Sequence, residues 1–324
     1  MSKEKKLSIG GQALIEGVMM RGPKETAMAV RLQNGDIIIE KWDNKESKLP
    51  KICKLPFIRG IFNFVDSMVV GYKTLMRSAE LSEFEGEEEV KADTDVDVDA
   101  EDNEKPATKE EKAEVLGTAA MGVITVIASI LSMVLAIGLF VYLPTAIFNW
   151  LKGHFEVLDS RTIQSVCEGI LKLIIFITYM ALISLMNDIK RVFMYHGAEH
   201  KTIFCYEKGL ELTVENVRKQ SRFHPRCGTS FIMLSVIISI GVAMCIPHTI
   251  PTVARSAIKI LLLPVTMGIG YEAIKLAGRK DNTFTKIISA PGLWVQRIST
   301  KEPDEDYMIE CAIKAFKEVL PKDN

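Results

Sequence analysis

The 324-residue chain has no CxxC pair among its six cysteines, Cys53, Cys167, Cys205, Cys227, Cys245 and Cys311. A disulfide scaffold is a poor reading for a chain this long. It has no charge excess: 40 basic and 41 acidic residues leave a formal net charge of −1, which gives no footprint for nucleic acid. Histidine is scarce at five residues, so any local concentration of it is informative. The opening stretch MSKEKKLSIGG has no apolar core, and no cleavable signal peptide is expected. No solenoid or inverted repeat is evident. What the chain does have is segregation. Charged residues reach 25% but cluster in ends and loops, and the mean hydropathy is +0.16. Several stretches reach membrane-spanning length, which disfavours an ordinary soluble enzyme.

The segments predict an α-helical integral membrane protein with four transmembrane helices, a small N-terminal β hairpin element and amphipathic cytoplasmic helices. Residues 1–50 form the β element. Ala27–Leu32 and Ile37–Lys41 are strand-like, and Asn34-Gly35 between them favours a two-residue turn. The glycine-bracketed stretch 10–23 packs as a strand or loop against that hairpin. Residues 51–82 hold an amphipathic helix whose apolar stripe includes Phe62, Val65, Met68, Val69, Tyr72 and Met76. That stripe either packs on protein or lies at a membrane surface. Residues 83–114 form an acidic disordered linker, with twelve acids and one lysine between 83 and 104.

Residues 115–300 form the membrane domain. Its expected spans are Gly117–Leu143 (ended by Pro144), Gly169–Met186, Thr229–Ile246 and Ala257–Leu276. The loop 187–228 carries eight predicted-cytoplasmic basic residues: Lys190, Arg191, Lys201, Lys208, Arg218, Lys219, Arg222 and Arg226. The loops at 144–168 and 247–256 carry far fewer, so the positive-inside rule puts 187–228 and both termini in the cytoplasm of a bacterial cell. Pro291-Gly292-Leu293-Trp294 reads as a turn and an aromatic anchor. Residues 301–324 form a last amphipathic helix with Met308, Ile309, Ala312, Ile313, Phe316 and Leu320 on one face, capped by Asp304 or Asp306.

Chemistry concentrates in the cytoplasmic loop. His196 and His200 are four apart, one turn apart on a helical face, and Glu199 lies between them in the order H-x-x-E-H. Two imidazoles at that spacing reach one metal, and an intervening acid can activate water. His224 and Cys227 offer further ligands from the same loop. A hairpin of the second and third spans would bring the two segments together. If all four bind, the site is closed and structural. If His196, His200 and one of His224 or Cys227 bind, a position stays open and Glu199 can serve as base. The divalent metal is most plausibly zinc. Lys201, Arg222 and Arg226 either bind an anionic group or simply enforce topology beside lipid headgroups. Glu16 with Arg21, and Glu272, are accessory candidates. Glu272 could equally pair with Lys275 or Arg279.

Four stretches, GGQALIEGVMMRGP at 10–23, YHGAEHKTIFCYE at 195–207, HPRCGTSF at 224–231 and PGLWVQRISTKEPD at 291–304, resemble the YqhQ-like family. These are bacterial multi-pass membrane proteins of unknown function, regarded as predicted metal-dependent enzymes. The resemblance implies that His196, Glu199, His200, His224 and Cys227 form the metal site. It brings no substrate. The leading expectation is a metal-dependent hydrolase at the inner membrane face, acting on a lipid or a membrane-anchored peptide, with membrane lipids as its surroundings. The alternative is a non-enzymatic assembly or transport-related factor with a structural metal. A carrier ranks third, because the first and third spans carry no charge and only Lys259 and Glu272 mark the fourth.

Overall fold

The computed structural model describes residues 9–44, 55, 57–83, 127–155, 160–225, 227–247, 249–277 and 283–321. The acidic linker expected at 83–114 lies almost wholly outside these residues, as does the first part of the first expected span.

The chain begins with a four-stranded antiparallel meander: β1 (Gly10–Leu14), β2 (Gly17–Arg21), β3 (Glu25–Arg31) and β4 (Ile37–Asp43). The stretch 10–23 is therefore a hairpin in its own right, not only a partner for the second one. The β3–β4 connection is longer than the expected two-residue turn. Arg31 pairs with Ile37, the Leu32 N–H donates to the Asp36 carbonyl at 2.8 Å, and Gly35 takes φ +94°. Asn34 does not enter the left-handed region, so the loop is a turn closed by a glycine bulge.

Alternation along the central strands splits the core in two. Val18, Met20, Ala27 and Ala29 face one way and meet two helices, α4 (Asn187–Glu207) and α10 (Asp306–Glu318). Leu14, Met19, Met28 and Val30 face the other way and meet α1 (Ile58–Ser82) at Val70, Leu75 and Leu81. Both faces of β2 and β3 are thus covered, which is why these strands read as continuous apolar runs. The expected face of α10 is buried as read: Met308, Ile309, Ala312, Ile313 and Phe316. Its N-cap is Glu305, with no side-chain cap bond, in place of Asp304 or Asp306. In α1 the predicted stripe stays largely exposed. Phe62, Val65, Met68, Val69, Tyr72 and Met76 lie open, while Gly60, Gly71, Thr74, Ser78 and Leu81 are buried. The small residues win the protein-facing side because they allow close approach to the sheet and its neighbours.

The remaining helices are apolar: α2 (Ile127–Lys152), α3 (Arg161–Ile183), α6 (Gly228–Ala243), α7 (Thr252–Leu261), α8 (Leu263–Ala277) and α9 (Thr283–Ser299); α5 (Val214–Arg218) is a short polar turn between α4 and α6. Among the described residues α2 and α3 are long and apolar enough to cross a membrane, and α7 with α8 makes a third span if the 45° bend between them is one broken crossing. The sixteen-residue α6 falls short of that length.

Three expected boundaries are corrected. Pro144 does not end α2. A π-helical turn at Gly138–Tyr142 precedes it, with the Leu143 N–H donating to the Gly138 carbonyl, and the widened turn accommodates the ring that would otherwise clash with the preceding turn. α3 starts eight residues earlier than the second expected span and so takes Glu168 into the helix. Pro291 sits inside α9 and not in a turn, held there by the close seating of Gly292 on Ser230 of α6.

Candidate metal centre

The loop 187–228 is built mainly of α4, which follows α3 after a three-residue break. His196 lies nine residues past its start, about 14 Å along the axis. Cys227 is the N-cap residue of α6. The two stretches meet. Among the described residues, one ligand atom each from His196, His200 and Cys227 lies within 4.8 Å of the others. The His196 and His200 ring centroids are 4.4 Å apart, and His196 Nε2 is 3.2 Å from Cys227 Sγ.

Backbone carbonyls set the histidine orientations. His196 Nδ1 donates to the Ser299 carbonyl at 2.8 Å, and His200 Nδ1 donates to the Arg222 carbonyl at 2.6 Å. Each bond fixes the proton on Nδ1 and leaves the Nε2 lone pair for the common point. Burial pushes the His200 imidazole below its ordinary value, opposed by the Cys227 thiol and the Arg222 carbonyl. A neutral imidazole is the ligating form. The Thr229 hydroxyl donates to Cys227 Sγ at 3.4 Å. Two nitrogens and a sulfur, two of them oriented by outer partners, fit a borderline metal of zinc type.

Glu199 shares the site without joining the triad. Its carboxylate lies 3.7 Å from His196 Nε2 and is almost fully buried. Burial raises its pKa, with His196 and His224 pulling the other way. Gly11 of β1 makes room for it: a Cβ there would sit 2.7 Å from the Glu199 side chain. The glycines of the opening motif thus have a concrete use. Beside these groups lies a cavity of about 170 Å³ lined by Gly10, Gly11, Glu199, His200, His224 and Cys227.

His224 reaches the neighbourhood but stands apart from the triad. Its ring centroid is 5.6 Å from that of His200 and 4.8 Å from that of Phe204, and its Nε2 is 3.5 Å from a Glu207 oxygen. Gln296 of α9 grips its backbone, accepting from the N–H at 2.8 Å and donating to the carbonyl at 2.7 Å.

Other candidates lie elsewhere. The Lys201 ammonium is buried and donates to the Arg218 and Gln220 carbonyls at 2.9 and 2.8 Å while pairing with Glu302 at 2.8 Å. With its three donors used, it staples the loop to the tail and does not offer itself to an anion. Arg222 stacks on Phe223 and approaches Glu302 at 4.0 Å; Arg226 lies outside the described residues. Glu16 does not enter the cavity. It occupies the β1–β2 turn with φ +51°, and Arg191 grips it through two bonds, at 2.5 and 2.6 Å, with the Tyr195 hydroxyl at 3.2 Å. Arg21 pairs with Asp66 instead. Glu272 is bound by Arg59 and not by Lys275, whose ammonium lies over Tyr271; Arg279 is outside the described residues.

Sequence reasoning missed the supports. A carbonyl carries no residue signature, so Ser299 and Arg222 could not be found. Gly197 could have been: a Cβ there would collide with the Lys301 carbonyl, and the Lys301 N–H donates to the Phe193 carbonyl at 2.8 Å. The glycine between the histidines lets the chain after α9 lie flat on α4 and present Ser299 to His196.

No solved structure matches the chain. A protein of Bacillus subtilis (strain 168) described as "Uncharacterized protein YqhQ" is 35% identical over 323 residues, covering 99% of this chain and 95% of that one. Residues 55–322, which hold the histidine pair, Glu199, Cys227 and the carbonyls that orient them, match the family described as "Protein of unknown function (DUF1385)", and the chain belongs to that family.

Proposed function

We propose that this chain is a metal-dependent hydrolase set against the cytoplasmic face of a membrane. The observation that carries the reading is the convergence of three donors, His196, His200 and Cys227, beside a cavity that His200, Cys227 and the buried carboxylate of Glu199 line. Three protein ligands with a cavity alongside is the pattern of a catalytic site, whereas a structural site closes with four. A bound zinc would supply Lewis acidity, polarising a carbonyl or phosphoryl oxygen of the substrate. His196 and His200 hold their lone pairs inward through the Ser299 and Arg222 carbonyls. Glu199 takes the proton of the attacking water and returns it to the leaving group as the bond to carbon or phosphorus breaks. Gly11 lies close against the Glu199 side chain, whose burial keeps bulk water from the carboxylate.

The same reading places α2, α3, α6 and the α7–α8 pair across a bilayer as four spans. α6 is about 24 Å long by helical rise, and the residues after Ala243 complete its reach. The basic residues of 187–228 favour the cytoplasm for the site and for both termini. Cys227 directly precedes α6, so the cavity lies near headgroup depth, where a lipid or a membrane-anchored peptide could enter.

The test uses the full chain purified in detergent. Zinc, iron and manganese are quantified, and hydrolysis of p-nitrophenyl acetate and bis-p-nitrophenyl phosphate is followed. About one metal per chain is expected in the wild type and in Glu199→Gln, with metal lost in His200→Ala and hydrolysis lost in both variants. Equal metal in wild type and His200→Ala refutes the site. Undiminished hydrolysis in Glu199→Gln refutes the role of the acid. A structural metal in a non-enzymatic assembly factor is the second reading, favoured by the nearness of His224. It predicts that His224→Ala releases metal as fully as His200→Ala.

A further inference from the structure

A second polar cluster lies among the apolar helices, and the metal site makes no use of it. Glu168 and Lys172 are one turn apart on α3, and Arg255 and Lys259 are one turn apart on α7. The two pairs face each other. Arg255, fully buried, donates to Glu168 at 3.2 Å, to Ser165 at 3.3 Å and to the Pro247 carbonyl at 2.9 Å. Lys259 donates to Glu168 and to Thr145 at 2.6 Å. Lys172 reaches Ser239 of α6 at 3.4 Å.

Among the described residues one carboxylate here faces three cations. A surplus of positive charge between these helices is costly, because burying an ion without a partner forfeits several kcal/mol of hydration. The donors of Lys172 and Lys259 are not exhausted by the hydroxyls and carboxylate they touch. Both lysines line one cavity of about 40 Å³, with Glu168, Ser165, Ser239 and Thr266 beside them. That is room for roughly three waters, or one small ion. The start of α8 borders the same cavity through Leu262 and Leu263, at the bend between α7 and α8.

We propose that this cavity binds a single small inorganic anion. Depth argues against a lipid headgroup. Glu168 lies seven residues into α3 and Lys172 eleven, about 10 and 16 Å along the axis, which is well inside a ~30 Å hydrocarbon layer. This part of the argument rests on the membrane reading above but is independent of the metal and of Glu199. The anion neutralises the surplus charge and ties α3, α6, α7 and α8 together.

The experiment is titration calorimetry on the full chain in a zwitterionic detergent, in gluconate buffer of constant ionic strength. Chloride, inorganic phosphate and a short-chain phosphatidic acid are added in separate arms. Saturable binding of chloride or phosphate is expected, weakened at least tenfold in Lys172→Met, retained in Lys172→Arg and unchanged in the surface variant Lys219→Gln. Binding of phosphatidic acid alone overturns the proposal in favour of a lipid site. No saturable binding of either inorganic anion overturns it, as does equal binding in wild type and Lys172→Met. If Lys172→Met does not fold, Ser239→Ala replaces it, with at least a threefold loss expected and none refuting the site. Metal content is measured on the same samples, so failure here and failure of the hydrolase reading are told apart.

Discussion

Replacing Gly197 by alanine tests the architecture of the metal centre with a single methyl group. In an ordinary helix interior this change stabilises by about 0.5–1 kcal/mol. Here the new Cβ falls on the Lys301 carbonyl, which is backbone and cannot rotate away. Overpacking of this kind costs about 1–3 kcal/mol. Moving this segment also strains the Lys301–Phe193 hydrogen bond, worth about 1 kcal/mol. The net expectation is a loss of about 2 kcal/mol, reversing the propensity sign, and a melting temperature lower by several degrees. The same shift drags Ser299, two residues upstream, away from His196 Nδ1. Loss of such an outer partner weakens metal binding by about 10–100-fold. Thermal unfolding with and without added zinc, together with competition against a chelator, reads both effects. Gly241→Ala is the control, since nothing lies within 4 Å of its added Cβ. A Gly197→Ala protein as stable as wild type and holding metal equally well would refute the packing argument and the support of His196 by Ser299.

Cys227→Ser should lose most bound zinc while leaving far-ultraviolet circular dichroism unchanged, checked by metal analysis on folded fractions. Lys201→Met should cost about 1–3 kcal/mol, because it strands the buried Gln220 carbonyl and loses the bond to the Arg218 carbonyl, yet leave the KM of any anionic substrate unaltered where the protein is folded. Glu16→Ala should cost about 1–2 kcal/mol by loss of the two-bond contact with the partly exposed Arg191, measured by urea unfolding. Burial pushes the Cys311 thiol up to about 12. The folded chain favours its neutral form, so stability is retained below the thiol's ordinary value near 9 and falls as pH rises from there toward 12. Maleimide labelling at pH 9 should modify exposed Cys245 and spare Cys311 until the protein unfolds.

The parts legible in sequence were those with a strong period or a rare residue. The H-x-x-E-H spacing placed His196, Glu199 and His200 together on one helix, and the 3.6-residue pattern after 304 gave the buried face of α10. Cys227 joined them because the chain returns through α5 and Gln220 to the start of α6. The failures share a cause: tertiary contact overrode a local signal. Pro144 and Pro291 read as breaks, yet a π turn and a tight helix crossing absorb them. The α1 stripe read as either a protein-packing or a membrane-surface face; small residues took the protein side and left the stripe exposed, as the second reading requires. Lys201 read as either an anion ligand or a topology-setting charge, and its role as a staple was hidden because its carbonyl acceptors have no sequence signature. Glu168 fell outside the second expected span, so its confrontation with Arg255 and Lys259 was invisible until α3 was seen to begin earlier.

The order in which the ribosome makes this chain follows from the sharing of one core by β2, β3, α4 and α10. The sheet is synthesised long before α10, one of the two helices that cover its α4-facing side. Ser299 likewise arrives a hundred residues after His196. Until α9 and α10 are made, the strands wait with that face only partly covered and His196 lacks its Ser299 anchor. A stop codon near residue 300 would therefore cost more than a tail: the hairpins would keep α1 and α4 but lose Met308, Ile309, Ala312 and Phe316 from the core they share with α4.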